Sequence, residues 1–207
     1  MKAVMAGLVV VMAFSAVAAS GASAASWHVG GEELSLSAPL ASATKMVEDV
    51  RLIESFGPEI LCTGVELKGA SIAAPAGGGV EHLVLTGCGV VSGACSLKGL
   101  AIESKPLSVA ASLGGKSPED VLSVKPASGK VFAEYQLVGP KCALAGTVQL
   151  TGKAKFVLPA GGEELVEQEV SMRTYASTGE LVSGSSGVTL EGGLKAKLVS
   201  GKDWSFR

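Results

Sequence analysis

The chain has 207 residues, a net charge of −2, 47% apolar residues and only 17% charged ones. That is too apolar for disorder, and it offers no basic footprint for nucleic acid. Glycine supplies 28 residues and proline 8, while asparagine is absent and the only aspartates are Asp49, Asp120 and Asp203. Turn chemistry is therefore dense, and the clustered Asp and Asn of a calcium loop are missing.

The first element is an address. Lys2 is followed by an uncharged apolar-and-small run from Ala3 to Ala19, and then by Ala22-Ser23-Ala24. This is the three-part pattern of a secretory signal with small residues at the cleavage site. Cleavage is expected after Ala24, with the site after Ala25 nearly as good. Residues 1–24 are then a signal peptide, and 25–207 a single exported β-domain. The run is about 17 residues, the lower edge of a membrane span, so an uncleaved anchor is the alternative. No cysteine stands near the site to carry a lipid, and no later segment is apolar for long enough to cross a bilayer.

From Trp27 onward, turn signals recur at Gly30-Gly31, Gly57-Pro58, Pro75 to Gly79, Gly114 to Pro118, Pro126 to Gly129, Gly139-Pro140, Pro159 to Gly162 and Ser183 to Gly187. Between them lie short runs with period-two alternation, the mark of half-buried strands. Gly64-Val65-Glu66-Leu67-Lys68-Gly69 and Gly187-Val188-Thr189-Leu190-Glu191-Gly192 are the clearest, and Gly146 to Gly152 is a variant of them. Glu81 to Cys88, Leu107 to Leu113, Lys130 to Leu137, Lys153 to Leu158 and Leu194 to Val199 alternate in the same way. Thr44 to Phe56 and Glu163 to Arg173 fit either a helix or a strand, because short runs satisfy both periods. No βαβ rhythm appears. The expected fold is all-β: an antiparallel β-sandwich or flattened barrel of about ten to thirteen strands, with at most one short helix. Trp27 and Trp204 bracket the exported part, and read as plugs that bring the first and last strands together.

Cys62, Cys88, Cys95 and Cys142 are even in number and lie in the exported part, which reads as two disulfides. Four buried free thiols are the alternative. No metal site is expected, since no pair is spaced C-x2-C and His82 is the only histidine nearby. A hairpin with its loop at Pro75 to Gly79 would have arms Ile60 to Ile72 and Glu81 to Cys88. Cys62 lies 13 residues before Pro75 and Cys88 lies 13 after it, so the two would face each other. Cys95 would then take Cys142, closing a loop of about 47 residues worth roughly 4 kcal/mol in the chain-entropy model. The rival joins Cys88 to Cys95 across the turn at Val90 to Gly93 and leaves Cys62 for Cys142.

Several short motifs share one pattern. They are Trp27-His28-Val29-Gly30-Gly31-Glu32-Glu33-Leu34, Ile60-Leu61-Cys62, the loop Pro75 to Gly79, Gly87-Cys88 with Cys95 soon after, Pro106-Leu107, and Cys142-Ala143-Leu144-Ala145-Gly146. In this the chain resembles a group of uncharacterised exported proteins of high-GC Gram-positive bacteria. Those open on Trp-x-Val-x-Gly-x-x-Leu and carry the same cysteine framework. The resemblance implies export and framework rather than an activity, and it favours a strand for Thr44 to Phe56.

Catalytic sets are thin. There is no Gly-x-Ser-x-Gly elbow, and Ser42-Ala43-Thr44-Lys45 matches Ser-x-x-Lys without its companion motifs. Gly77-Gly78-Gly79 lacks the following helix of a phosphate loop. Aromatics are too few for sugar clefts or single-strand platforms. Glu163, Glu164, Glu167 and Glu169 read as a solvated face. With His28 and His82 as the only histidines, general-base chemistry has few places to sit. No catalytic residue and no cofactor are therefore expected, and neither nucleic acid nor a membrane segment after cleavage. The leading expectation is a secreted, non-catalytic structural or interaction module, at the cell surface or in the medium, with a cell-surface or extracellular protein as its candidate partner. The alternatives are a carrier of a small apolar ligand in a barrel cavity and an unrecognised secreted hydrolase. An outer-membrane barrel would need aromatic girdles that the sequence lacks.

Overall fold

A computed structural model describes residues 25–91, 93–114, 119–159 and 162–207, without the side chains of 42–46. The expected signal segment 1–24 lies outside the described residues, as do parts of the turns expected at Gly114 to Pro118 and Pro159 to Gly162.

The alternation produces strands throughout. In chain order they are β1 Trp27–Val29, β2 Glu32–Glu33, β3 Ser37–Glu54, β4 Glu59–Lys68, β5 Ala70–Ala73, β6 Gly77–Val80, β7 His82–Val90, β8 Ser96–Leu97 and β9 Ala101–Ser104. Then follow β10 Leu107–Ser112, β11 Glu119–Pro126, β12 Val131–Val138, β13 Gly146–Gly152, β14 Ala154–Pro159, β15 Glu167–Thr174, β16 Leu181–Ser183, β17 Ser186–Leu198 and β18 Trp204–Phe206. The one helical element among the described residues is a 3-10 turn at Ala176–Thr178. Both ambiguous segments are strands: β3 takes the first and β15 most of the second.

The pairings resolve into eight long antiparallel staves: β3, β4–β5, β6–β7, β9–β10, β11–β12, β13–β14, β15–β16 and β17. Each stave pairs with the next along the chain, and β17 returns to β3, with Leu190 opposite Leu52 and Leu198 opposite Leu40. The result is a closed up-and-down barrel, which leaves no free sheet edge. Six staves are broken near mid-height, which is why the separate strands outnumber the ten to thirteen read from turn spacing.

The expected hairpin is present and is tighter than the turn signals imply. Gly77 to Gly79 belong to β6 rather than to the loop, and the register runs unslipped from Ala73 opposite Gly77 to Ile60 opposite Val90. A Cβ on Gly78 would stand 2.5 Å from the Ser71 carbonyl oxygen, so the glycines allow two backbones to approach rather than a turn to form.

Large side chains fill the lumen. Val50, Leu52, Ile60, Phe132, Leu137, Leu150, Phe156, Met172, Leu190 and Leu198 belong to one buried cluster. The outer face carries opposed charges across the ladders: Glu167 opposite Lys197, Glu169 opposite Lys195 and Arg173 opposite Glu191. Apolar inside and charged outside is the reverse of a barrel that faces lipid along its wall. No helix of the described residues is long and apolar enough to cross a membrane.

Candidate functional site

Up-and-down topology sorts the connections to two ends. At one end β1 pairs with both β2 and β18, so the first and last described strands lie together as a cap. Trp27 packs on Trp204 and Phe206 with ring centroids 5.9 and 4.8 Å apart. The Trp27 indole N–H donates to the Gly77 carbonyl at 2.8 Å, and Gln168 donates to the Trp204 carbonyl at 2.6 Å, which seats the plug on the barrel. The Trp204 indole nitrogen and the Ser205 hydroxyl are buried without a hydrogen-bond partner. Beneath the plug lies an apolar cavity of about 60 Å³, bounded by Trp27, Trp204, Ala70, Phe156 and Ala196 among others.

The lumen towards the other end is packed, and one polar pair crosses it. The Tyr135 hydroxyl, on β12, donates to the Glu54 carboxylate at the end of β3, and both residues are buried. Burial first, and then the Glu54 carboxylate, push the Tyr135 phenol far above its ordinary value of 10.0.

At that second end lie connections 55–58, 91–100, 139–145 and 184–185. Both disulfides of the preferred pairing are present: Cys62–Cys88 joins β4 to β7, and Cys95–Cys142 joins two of these connections. Backbone bonds tie the rest together. Val91 N–H donates to Glu59 O at 2.9 Å, Lys98 N–H to Gln136 O at 2.8 Å and Ser55 N–H to Gly187 O at 3.0 Å. The rim so fixed leaves Phe56 89% exposed, Leu100 74%, Val91 56% and Leu144 47%.

The residues singled out for catalysis take other places. His28 stands in the cap with Ser26 Oγ 3.3 Å from its Nε2 and Arg207 Nη2 3.2 Å from its Nδ1. Arginine only donates, so Nδ1 is the acceptor and Nε2 carries the proton. That tautomer cannot take a proton from Ser26. His82, on the outer wall, places Nδ1 2.9 Å from the Ser104 carbonyl and 3.2 Å from the Glu103 carboxylate. The adjacent Ser104 hydroxyl accepts from Leu83 N–H and donates to Lys105 O, so it is not paired with the imidazole. The structure thus brings a histidine and a carboxylate together and turns the serine away. Ser42, Thr44 and Lys45 fall where side chains are not described. The acidic run divides: Glu164 pairs with Arg207 at 3.0 Å, while Glu163, Glu167 and Glu169 are exposed. Among the described residues no group of His, Cys, Asp and Glu is arranged to hold a metal.

A polar groove of about 590 Å³ runs along the outer wall between Glu48, Asp49, Arg51, Glu169, Arg173 and Glu191. Its two arginines are engaged, Arg173 by Glu119 and Arg51 by Glu59 at 3.4 Å. Sequence reasoning missed both the rim and the lumen pair. Glu54 and Phe56 both fall in Thr44 to Phe56, a run that reads as either helix or strand, so the sequence assigns neither of them a face.

An eight-strand up-and-down antiparallel barrel, stapled at one end and plugged at the other, is thus the class of protein defined by the fold. No protein-family model, curated protein or solved structure matches the chain.

Proposed function

We propose that residues 1–24 direct export and are removed after Ala24. The barrel then works as a non-catalytic structural or interaction module at the cell surface or in the medium. The observation that carries this reading is the stapled rim. Four apolar side chains stand in solvent on loops held rigid by a disulfide and by backbone bonds, and exposed apolar groups on fixed loops are what binding surfaces use. The two disulfides fit an oxidising compartment, and the tautomer of His28 and the engaged Ser104 hydroxyl weigh against a hydrolase.

Expression of the full chain in an exporting Gram-positive host tests the reading. The released protein should have the mass of residues 25–207, and a Phe56→Ser/Leu100→Ser double variant should move from the cell surface to the medium. Retention of all 207 residues in the membrane would overturn export. For protein that the wild type holds at the cell surface, an unchanged distribution of the variant would overturn the rim as the working face.

The cavity under the tryptophan plug favours a second reading, a carrier of a small apolar ligand. At about 60 Å³ it holds roughly two water-sized groups rather than a lipid. Xenon should perturb the NMR signals of Ala70 and Ala196 if the space is accessible; unchanged spectra under xenon pressure would remove the carrier.

A further inference from the structure

We infer that the stapled rim is a docking face for an anionic lipid surface. This rests on the proposed interaction role of that rim, and names its partner. Three observations converge. First, three of the four connections at this end expose apolar side chains, Phe56, Val91, Leu100 and Leu144, with Val138 39% exposed at the adjoining strand end. The cap end exposes apolar groups too, Leu36, Leu113, Leu165, Val166 and Val199, so it is charge that sets the rim apart. Second, the only charged residues in those connections are Lys98 and Lys141, both exposed. A chain with 19 acidic residues places none of them there. The nearest in sequence are Glu59, held by Arg51, and Glu54, buried under Tyr135. Third, the opposite end is acidic. It carries Glu32, Glu33, Glu163, Glu164 and Asp203 against Lys202 and Arg207 among the described residues.

The barrel is therefore polarised along its axis. An anionic surface attracts the lysine end and repels the cap, which orients the molecule before contact. Apolar tips then enter the headgroup boundary while the lysine ammonium groups stay among the phosphates. The described rim residues are already tied down, by the Cys95–Cys142 bond and by the backbone bonds to Glu59, Gln136 and Gly187, which lowers the ordering cost of docking. A protein partner would be served by the same apolar groups. What favours lipid is the wholly cationic charge of the rim.

Co-sedimentation with large unilamellar vesicles tests this with the mature chain, residues 25–207. Vesicles of phosphatidylcholine with phosphatidylglycerol should pellet the protein, and vesicles of phosphatidylcholine alone should pellet little of it. Binding should weaken as salt rises from 50 to 500 mM, because the lysine attraction is screened. Phe56→Ser with Leu100→Ser should lower the partition coefficient about tenfold or more. Lys98→Ala with Lys141→Ala should lower it by roughly an order of magnitude and abolish the preference for anionic vesicles. Leu36→Ser, at the cap end, should change nothing. All the altered side chains are exposed, so the variants should fold, and circular dichroism checks that they do.

Failure of the wild type to pellet with anionic vesicles overturns the lipid assignment. So does equal pelleting of the rim variants. If vesicles fail while Phe56→Ser/Leu100→Ser still releases the protein from cells, the rim binds a protein or polymer and the interaction reading stands. If both fail, the rim is not a working face.

Discussion

Trp27 and Trp204 show how much a single hydrogen bond separates two residues with the same task. Both are almost fully buried, and both close the same end of the lumen. Trp27 donates to Gly77, whereas the Trp204 indole nitrogen has no partner, so burial of its N–H works against the packing it supplies. Replacing Trp27 by Phe gives up the bond, and replacing Trp204 by Phe removes an orphaned donor, at similar loss of apolar area. Trp27→Phe should therefore destabilise the protein by ~1–2 kcal/mol more than Trp204→Phe, read as a difference in urea midpoints. Equal midpoints would mean that the Gly77 bond contributes nothing. Ala196 marks the reverse case, a place where side-chain volume is missing. It borders the 60 Å³ cavity, and voids cost about 24 cal/mol per Å³, or roughly 1.5 kcal/mol here. Ala196→Val puts two methyl groups into that space on a strand that suits β-branched residues, and should raise Tm by ~2–4 °C. A lower Tm would show that the void lies out of their reach.

Among the elements, the long hairpin of β4–β5 and β6–β7 explains both what could be read from the chain and what could not. Its register was legible because Pro75 is a centre of symmetry for Cys62 and Cys88, and a disulfide demands that they face each other. The strand character of Gly77 to Gly79 was not legible, because glycines show no alternation. Only the closeness of Ser71 on the neighbouring backbone explains them. The seam between β3 and β17 was equally hidden. It pairs residues as distant as Leu40 and Leu198, and nothing local records that choice. The two disulfides, legible as a set, differ in depth. Cys62 and Cys88 are buried in the core, whereas Cys95 and Cys142 are half-buried in the loops. Thiol–disulfide exchange needs access to sulfur, so graded reductant on the folded protein should open Cys95–Cys142 first. Mass mapping of alkylated peptides reads the order. A Cys95→Ser/Cys142→Ser variant should lose ~2–4 kcal/mol and keep its β spectrum, because the bond joins connections rather than staves. Opening of Cys62–Cys88 first would place the flexible part of the molecule in the barrel wall instead.

At the scale of the whole molecule, the barrel closes its two ends by different means. The cap end uses the first and last described strands and their aromatic rings; the stapled end uses the Tyr135–Glu54 bridge, which ties β12 to β3 across the lumen. The bridge gives that end a pH dependence whose sign follows from proton linkage. In the unfolded chain Tyr135 loses its proton near pH ~10, as an ordinary tyrosine does. In the folded chain burial and the facing carboxylate hold the proton to higher pH. Between those values the unfolded state binds fewer protons than the folded one, so stability falls as pH rises. Below pH ~10 the contribution is fully present. Tyr135→Phe removes the titrating group and leaves Glu54 without its donor. The variant should therefore be less stable at pH 7 by ~1–3 kcal/mol. Above pH 10 its stability should fall less steeply than that of the wild type, by at most ~1.4 kcal/mol per pH unit, the slope of one proton. Urea midpoints from pH 7 to pH 11 for both proteins check this, since every other titrating group is common to the pair. The curves should converge as pH rises. If they stayed parallel to pH 11, the Tyr135 proton would not be linked to folding, and the end of the barrel beneath the rim would owe its rigidity to the Cys95–Cys142 staple and the backbone ties alone.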